Sequence, residues 1–214
     1  MTYAFAAAGT GGHVFPALAV ADALVASGVP REEIVFFGGD RMEAKTVPAA
    51  GFDFVPVELR GLKRSFSLEN LGIPSVVLKA RRLMTEEMRR RQTKICIVFG
   101  GYVSVPAAMA AGRVGAKLFV QEQNAKPGLA NRFVARRAER VFVGFGAARN
   151  KLKRGEFTGN PLRSSFAQFN RAELRAEART RYEIPDSLPV LGVLGGSLGA
   201  KVLNDVITAL TMAV

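Results

Sequence analysis

Tryptophan is absent from this 214-residue chain, tyrosine occurs three times, and cysteine and histidine occur once each. A single thiol excludes a disulfide framework and a cysteine-based metal site, which fits a reducing cytoplasm. Cys96 lies in the apolar run Ile95 to Phe99 and reads as a small hydrophobe packed in a strand. With tryptophan absent and tyrosine scarce, platforms on which bases could stack are few, and no helix-turn-helix, zinc or RNA-binding signature is present. Long apolar runs are missing too. No stretch approaches the roughly 18 uncharged residues of a membrane span, and the N-terminus has no basic region leading into an apolar segment. The expectation is a protein that neither crosses a membrane nor carries a visible export signal. Negative charge is also short, with 18 acidic against 30 basic residues and a net charge of +12. That excess implies an anionic partner or surface: nucleic acid, acidic lipid or a phosphorylated substrate. The missing signatures weigh against nucleic acid.

What is present is organised around Ala8-Gly9-Thr10-Gly11-Gly12-His13, which follows the apolar run Tyr3 to Ala7 and leads into a helix expected to begin near Val14 or Phe15. A strand, a glycine turn and a helix in succession bring backbone N–H groups to the positive end of a helix dipole, with no side chain to hold a ligand away. Such a site suits a phosphate or diphosphate. The spacing is not the dinucleotide fingerprint Gly-x-Gly-x-x-Gly, because Val14 holds the place of its third glycine. His13 is the one imidazole of the chain. In its neutral form it can accept a proton beside an anion, and it can equally serve as a hydrogen-bonded structural group.

With 49% hydrophobic residues the chain can bury a sizeable core. Strands are expected at Tyr3 to Ala7, Glu33 to Phe37, Phe52 to Val57, Lys94 to Phe99, Lys117 to Gln121 and Arg140 to Val143. Helices between them start at Phe15 (with Pro16 in the first turn), Met42, Pro74, Val105 and Ala130, and this alternation predicts a parallel, doubly wound α/β sheet. Gly100-Gly101-Tyr102-Val103-Ser104 repeats the strand, glycine pair and helix of the first loop, so two such loops form a wider anion cradle. Gln121-Glu122-Gln123-Asn124, beside Pro127-Gly128, ends the fifth strand with four hydrogen-bonding side chains and reads as a site edge. Arg60, Lys63 and Arg64, followed by a helix carrying Lys79, Arg81, Arg82 and Arg89 among Val77, Leu78 and Leu83, fit either a solvated basic face or a surface lying on an anionic bilayer. After the turn-forming stretch Phe157 to Arg163 comes a charged helix, Arg171 to Arg181. A strand expected at Val190 to Leu194, the loop Gly195-Gly196-Ser197-Leu198-Gly199-Ala200 and a helix from Lys201 then open a second unit with no partner strands. The boundary is placed at residues 160 and 161.

Together these motifs resemble one family. Gly9 to Ala19, Arg41-Met42-Glu43, Gly100 to Ser104, Glu122-Gln123-Asn124 with Pro127-Gly128, Gly159 to Arg163, and Gly195-Gly196-Ser197 with Gly199-Ala200 stand in the order and spacing of the MurG family. These are the peptidoglycan N-acetylglucosaminyltransferases that turn lipid I into lipid II. The resemblance implies a GT-B fold with two Rossmann-like domains: an N-terminal domain that binds lipid I, an undecaprenyl-diphosphate-MurNAc-pentapeptide, and a C-terminal domain that holds most of the UDP-GlcNAc site. It implies contacts from Thr10, Gly11, Gly12, Asn124, Arg163 and Ser197 to the donor, and an acceptor diphosphate site lined by Gly100, Gly101 and Tyr102. It implies His13 as the base of an inverting transfer, no metal ligand and no cofactor beyond the donor substrate, with the need for a divalent ion left open. It further implies a peripheral position on the cytoplasmic face of the membrane, an anionic membrane surface as partner, and other cell-wall synthesis proteins nearby.

The sequence departs from the family at Gln121, where histidine is frequent, and at Leu198, where glutamine is frequent. It also stops before the part of the donor domain that grips the nucleoside, so the expectation is a chain inactive alone. Two other readings stay open: a non-catalytic, membrane-docked binder of lipid diphosphates, and another GT-B enzyme such as a sugar-nucleotide epimerase, for which Glu122 is the one carboxylate candidate at a strand end.

Overall fold

The computed structural model describes residues 1–59, 73–152, 154–167, 169–195 and 200–212. The chain divides into two compact units, Met1–Ser164 and Ser165–Val214.

The first unit is a seven-stranded sheet in which every paired neighbour is parallel. Its strands are β1 (Thr2–Ala6), β2 (Ile34–Gly38), β3 (Asp53–Pro56), β4 (Thr93–Val98), β5 (Lys117–Glu122), β6 (Arg140–Val143) and β7 (Gly155–Phe157), in the order β3-β2-β1-β4-β5-β6-β7. The first six match the sequence expectation to within one residue at each end. β7 was not expected, because Gly155-Glu156-Phe157 is too short for any periodicity. It pairs β6 with Val141 opposite Gly155.

Helices cover both faces. On one side α1 (Gly11–Ala26) and α2 (Glu43–Ala49) pack on Phe5, Ile34, Phe36 and Phe99. Phe5 stacks on Phe36 at 5.0 Å and on Phe99 at 5.6 Å, tying three neighbouring strands together. On the other side α3 (Ile73–Arg90), α4 (Ser104–Val114) and α5 (Leu129–Val134) cover Val35, Cys96, Val98, Val120 and Val141. Parallel strands buried on both faces read as near-continuous apolar runs, and β2 is buried at all five positions. The Ala107, Ala110 and Ala111 side chains let α4 lie close to the sheet. Cys96 is fully buried as expected, and burial pushes its thiol up to about 12, the behaviour of an inert core group.

Two local expectations change. α1 begins at Gly11, three residues before the predicted start, because Thr10 is extended (φ −142°, ψ 157°) and the backbone turns helical immediately after it. Gly11, Gly12 and His13 are therefore the first turn of the helix. Pro16 falls beyond that turn and removes the bond that would have reached the Gly12 carbonyl. α3 also sorts its residues. Ala80, Met84 and Met88 face the core, while Leu78 and Leu83 are exposed at 46% and 38% beside Lys79, Arg82 and Arg89. Arg60, Lys63 and Arg64 lie outside the described residues.

In the first unit the short helix α6 (Gly146–Arg149) precedes β7, and α7 (Ser164–Ala167) marks the boundary. The second unit holds α8 (Arg171–Arg181) and α9 (Lys201–Met212). Asn170 caps α8 by accepting the Ala172 N–H at 3.0 Å. Arg179, nearly buried, gathers the following turn by donating to the carbonyls of Pro185 and, at 2.9 Å, Leu188. The strand expected at Val190 to Leu194 does not form. A strand needs a ladder partner, and the apolar side chains of this segment stand exposed, Leu194 at 90%.

Candidate functional site

The strand order reverses between β1 and β4, the place in an open α/β sheet where a crevice forms beyond the carboxyl ends of the strands. The two glycine loops leave the sheet side by side there. Phe99 N–H donates to the Ala6 carbonyl at 2.9 Å, carrying the pairing of β4 with β1 to the brink of the loops. Beyond it Gly101 approaches Ala8 so closely that a Cβ on Gly101 would lie 2.5 Å from the Ala8 oxygen. Gly100 and Gly101 have φ of +107° and +80°, the left-handed region that only glycine enters freely.

His13 is lodged between these loops. Its Nδ1 lies 3.0 Å from the Ala8 carbonyl oxygen. A carbonyl can only accept, so Nδ1 carries a proton, and in the neutral imidazole Nε2 is the nitrogen with the lone pair. The ring edge bearing Nε2 faces Gly100, whose added Cβ would stand 2.8 Å from it. Thr10 Oγ1 lies 3.5 Å from Nδ1 and makes no capping bond to the helix, leaving the Gly11 and Gly12 N–H groups at the open end of a 16-residue helix. Arg163 places its guanidinium 4.7 Å from the centroid of Phe15, whose ring lies against Gly11, so a cation flanks the helix N-terminus.

The second glycine loop is built around Tyr102. Its ring lies against Gly9, and its hydroxyl occupies the space that a side chain on Gly39 would need. Burial, and then the charge of Glu43, push the Tyr102 phenol above its ordinary value, so it stays a hydrogen-bond donor at neutral pH. Of the residues predicted for the site, Thr10, Gly11, Gly12, His13, Gly100, Gly101, Tyr102 and Arg163 are thus gathered around the switch point. Asn124 stands at the end of β5. Ser197 lies outside the described residues.

The end of β5 is a polar knot. Glu122 is 1% exposed and accepts four bonds: from Asn124 N–H and Asn124 Nδ2, both at 2.8 Å, and from Gly128 N–H and Asn131 Nδ2, both at 3.0 Å. A carboxylate saturated in this way shapes the loop that presents Asn124; it is not poised as a base, which removes the one feature that favoured an epimerase. Gln121 accepts Gln123 Nε2 at 2.6 Å through its side-chain oxygen. Glu122→Gln forces an N–H against one pair of these donors and is expected to cost about 3 kcal/mol, read as a lower urea midpoint with the slope unchanged.

Sequence reading gave no role to Glu43, Asn131 or Asn160. Glu43 is fully buried. Asn160 donates to the Gln123 carbonyl at 3.2 Å and fills the space beside Gly144, fastening the end of β6 to the same knot. Signals were available for two of them: Glu43 closes the motif Arg41-Met42-Glu43 at a helix start just beyond the pair Gly38-Gly39, and Asn160 stands within Gly159 to Arg163.

The topology, the paired glycine loops and the lodged imidazole define a Rossmann-like α/β domain of the GT-B type. The chain belongs to glycosyltransferase family 28: the model of that family's N-terminal domain matches residues 3–143. A curated relative from Acidithiobacillus ferrooxidans, named UDP-N-acetylglucosamine–N-acetylmuramyl-(pentapeptide) pyrophosphoryl-undecaprenol N-acetylglucosamine transferase, is 41% identical over 210 residues, 95% of this chain and 54% of the relative. A protein of the same name from Mycobacterium sp. (strain KMS) is 41% identical over 209 residues, 97% of this chain and 55% of the relative. The crystal structure of Acinetobacter baumannii MurG matches with a TM-score of 0.70 at 28% identity, covering 95% of this chain and 55% of that one. Anabaena HepE in complex with UDP and glucose, at 12% identity and a TM-score of 0.57 over 85% of this chain and 50% of that one, shares the fold alone. The chain spans about half the length of the curated relatives it matches.

Proposed function

We propose that this chain is the acceptor-binding part of an inverting N-acetylglucosaminyltransferase, one that moves GlcNAc from UDP-GlcNAc to the 4-hydroxyl of N-acetylmuramic acid in lipid I and so makes lipid II. The observation that carries this reading is the placement of His13: its Nδ1 is committed to Ala8 and its Nε2 edge faces Gly100 between two glycine loops, where the neutral imidazole presents its lone pair.

In this reading Nε2 takes the proton of the 4-hydroxyl as the oxygen attacks the anomeric carbon from the face opposite UDP. The new C–O bond forms while the bond to the β-phosphate oxygen breaks, and the electron pair leaves with UDP. The Gly11 and Gly12 N–H groups and Arg163 meet the negative charge that develops on the diphosphate, with Thr10, Asn124 and Ser197 as further donor contacts. Gly100, Gly101 and Tyr102 receive the acceptor diphosphate. Residues 1–160 form the acceptor domain, and residues 161–214 are the connector and the beginning of the donor domain. No cofactor enters the reading, and a divalent ion is not assigned a role.

The chain is further proposed to lie on the cytoplasmic face of the membrane, near other cell-wall synthesis proteins. Support comes from α3, where exposed Leu78 and Leu83 alternate with Lys79, Arg82 and Arg89. An open cavity of about 360 Å³ behind it is lined by Arg81, Arg113, Lys117 and Arg137 with Glu139. Among the described residues no helix is long and apolar enough to cross a membrane.

The test is calorimetry of the 214-residue chain with a short-chain lipid I analogue and, separately, with UDP-GlcNAc. Binding of the analogue with little or no binding of the nucleotide sugar is expected. A chain that binds neither ligand, or only the nucleotide sugar, would overturn the acceptor assignment.

A further inference from the structure

Glu43 is the most deeply buried carboxylate near the glycine loops, at 0% exposure at the start of α2. Its Oε1 accepts the N–H of Gly9, in the loop after β1, at 3.2 Å and that of Gly39, in the loop after β2, at 3.0 Å. Its Oε2 is buried and meets no hydrogen-bond geometry with any donor, although the Tyr102 hydroxyl lies near enough to Glu43 for a bond between them to help raise the phenol. Tyr102, from the loop after β4, closes the same corner: a Cβ on Gly39 would collide with the Tyr102 hydroxyl and lie 3.1 Å from Glu43 Oε1. One side chain therefore stands where three loops meet.

Charge is not what this group contributes to holding an anion. A buried carboxylate is costly, and beside an anion site it repels the ligand. What it supplies is a double acceptor at fixed distance. Gly9, at φ +97°, begins the turn that delivers Gly11 and Gly12; its N–H is anchored by Glu43, while the helical N–H groups stay open.

We propose that Glu43 is a positioning residue of the anion site, a clamp that ties the loops after β1 and β2 together beneath Tyr102 and so sets the direction of the Gly11 and Gly12 N–H groups toward a diphosphate. This rests on the diphosphate reading of the site given above.

Two variants separate position from charge. Glu43→Gln keeps an oxygen for both glycine N–H groups, drops the charge and places an N–H where Oε2 stood. Glu43→Asp keeps the charge but is one methylene too short to reach both partners. The full chain is titrated with inorganic pyrophosphate by calorimetry, and the Gly11 and Gly12 amide shifts are followed by NMR. The clamp predicts that Glu43→Gln binds pyrophosphate within about threefold of the parent, on the tighter side. Glu43→Asp should lose about tenfold, one hydrogen bond's worth, and move both amide shifts. Val47→Ala, at a site 1% exposed in the same helix, controls for stability: it should lower the melting temperature and leave affinity and shifts unchanged.

The reverse order of the two Glu43 variants, no effect from either, or losses that follow stability as Val47→Ala does would each overturn the clamp. Failure of the parent chain to bind pyrophosphate would count against the diphosphate reading. The amide shifts would still judge the clamp by the same contrast between Gln and Asp.

Discussion

Replacing His13 with alanine is expected to lower transfer by about a hundredfold to ten-thousandfold, the range that a positioned general base contributes, while acceptor affinity changes little. The measurement needs a donor site, so it is made in a chimera that appends the C-terminal half of the Acidithiobacillus ferrooxidans relative. Single-turnover transfer from radiolabelled UDP-GlcNAc to a lipid I analogue is followed, with acceptor affinity measured separately. The Ala8 carbonyl at 3.0 Å fixes the proton on Nδ1, and the close approach of Gly100 holds the ring so that Nε2 stays at the crevice. His13→Gln can still donate to Ala8 but accepts no proton at neutral pH, and it should fall as far as alanine. A variant that lost affinity in step with rate would make His13 a binding group; one that retained near-parental turnover would remove it from the chemistry.

Much of this site could be read from spacing. The two strand–glycine–helix units around Gly9 and Gly100 are local patterns, and a parallel sheet with its order reversing between β1 and β4 brings them together without further information. What could not be read is whatever depends on contacts across the fold. Glu43 looks like an ordinary acidic residue in the first turn of a helix, and only the arrival of Gly9 and Gly39 makes it a clamp. Glu122 looked like a candidate base because its type and its strand-end position fit one. The donors that saturate it come from Asn124, Gly128 and Asn131, nine residues apart at most in sequence yet invisible as partners until the loop is closed. The start of α1 was misplaced for a related reason. Glycine argues against helix by intrinsic propensity, but at a helix N-terminus the first N–H groups need no partner, so the penalty is small and Gly11 and Gly12 enter the first turn. Val190 to Leu194 failed in the opposite direction. Its composition is that of a buried strand, and strand formation depends on a neighbour that the described residues of the second unit do not provide.

The largest structural effect is expected from Gly101→Ala. At φ +80° a residue with a Cβ costs roughly 1–2 kcal/mol on backbone grounds alone. The added methyl would also sit 2.5 Å from the Ala8 oxygen, a backbone atom that cannot swing aside as a side-chain tip can. The two terms together put the destabilisation at about 3 kcal/mol or more, the range reached by strain at a special backbone position, and a clear fall in melting temperature should report it. Stability is only half of the consequence. Ala8 is the carbonyl that holds His13, so any shift that relieves the clash moves the imidazole and opens the first glycine turn. Affinity for the lipid I analogue should therefore drop more than stability alone accounts for. Gly112→Ala provides the comparison, since nothing lies within 4 Å of a Cβ added there, and it should leave both melting temperature and affinity close to the parent. If Gly101→Ala lowered stability but bound the analogue as tightly as Gly112→Ala, the two glycine loops would not be acting as one cradle, and the acceptor diphosphate would have to be placed elsewhere on the strand ends.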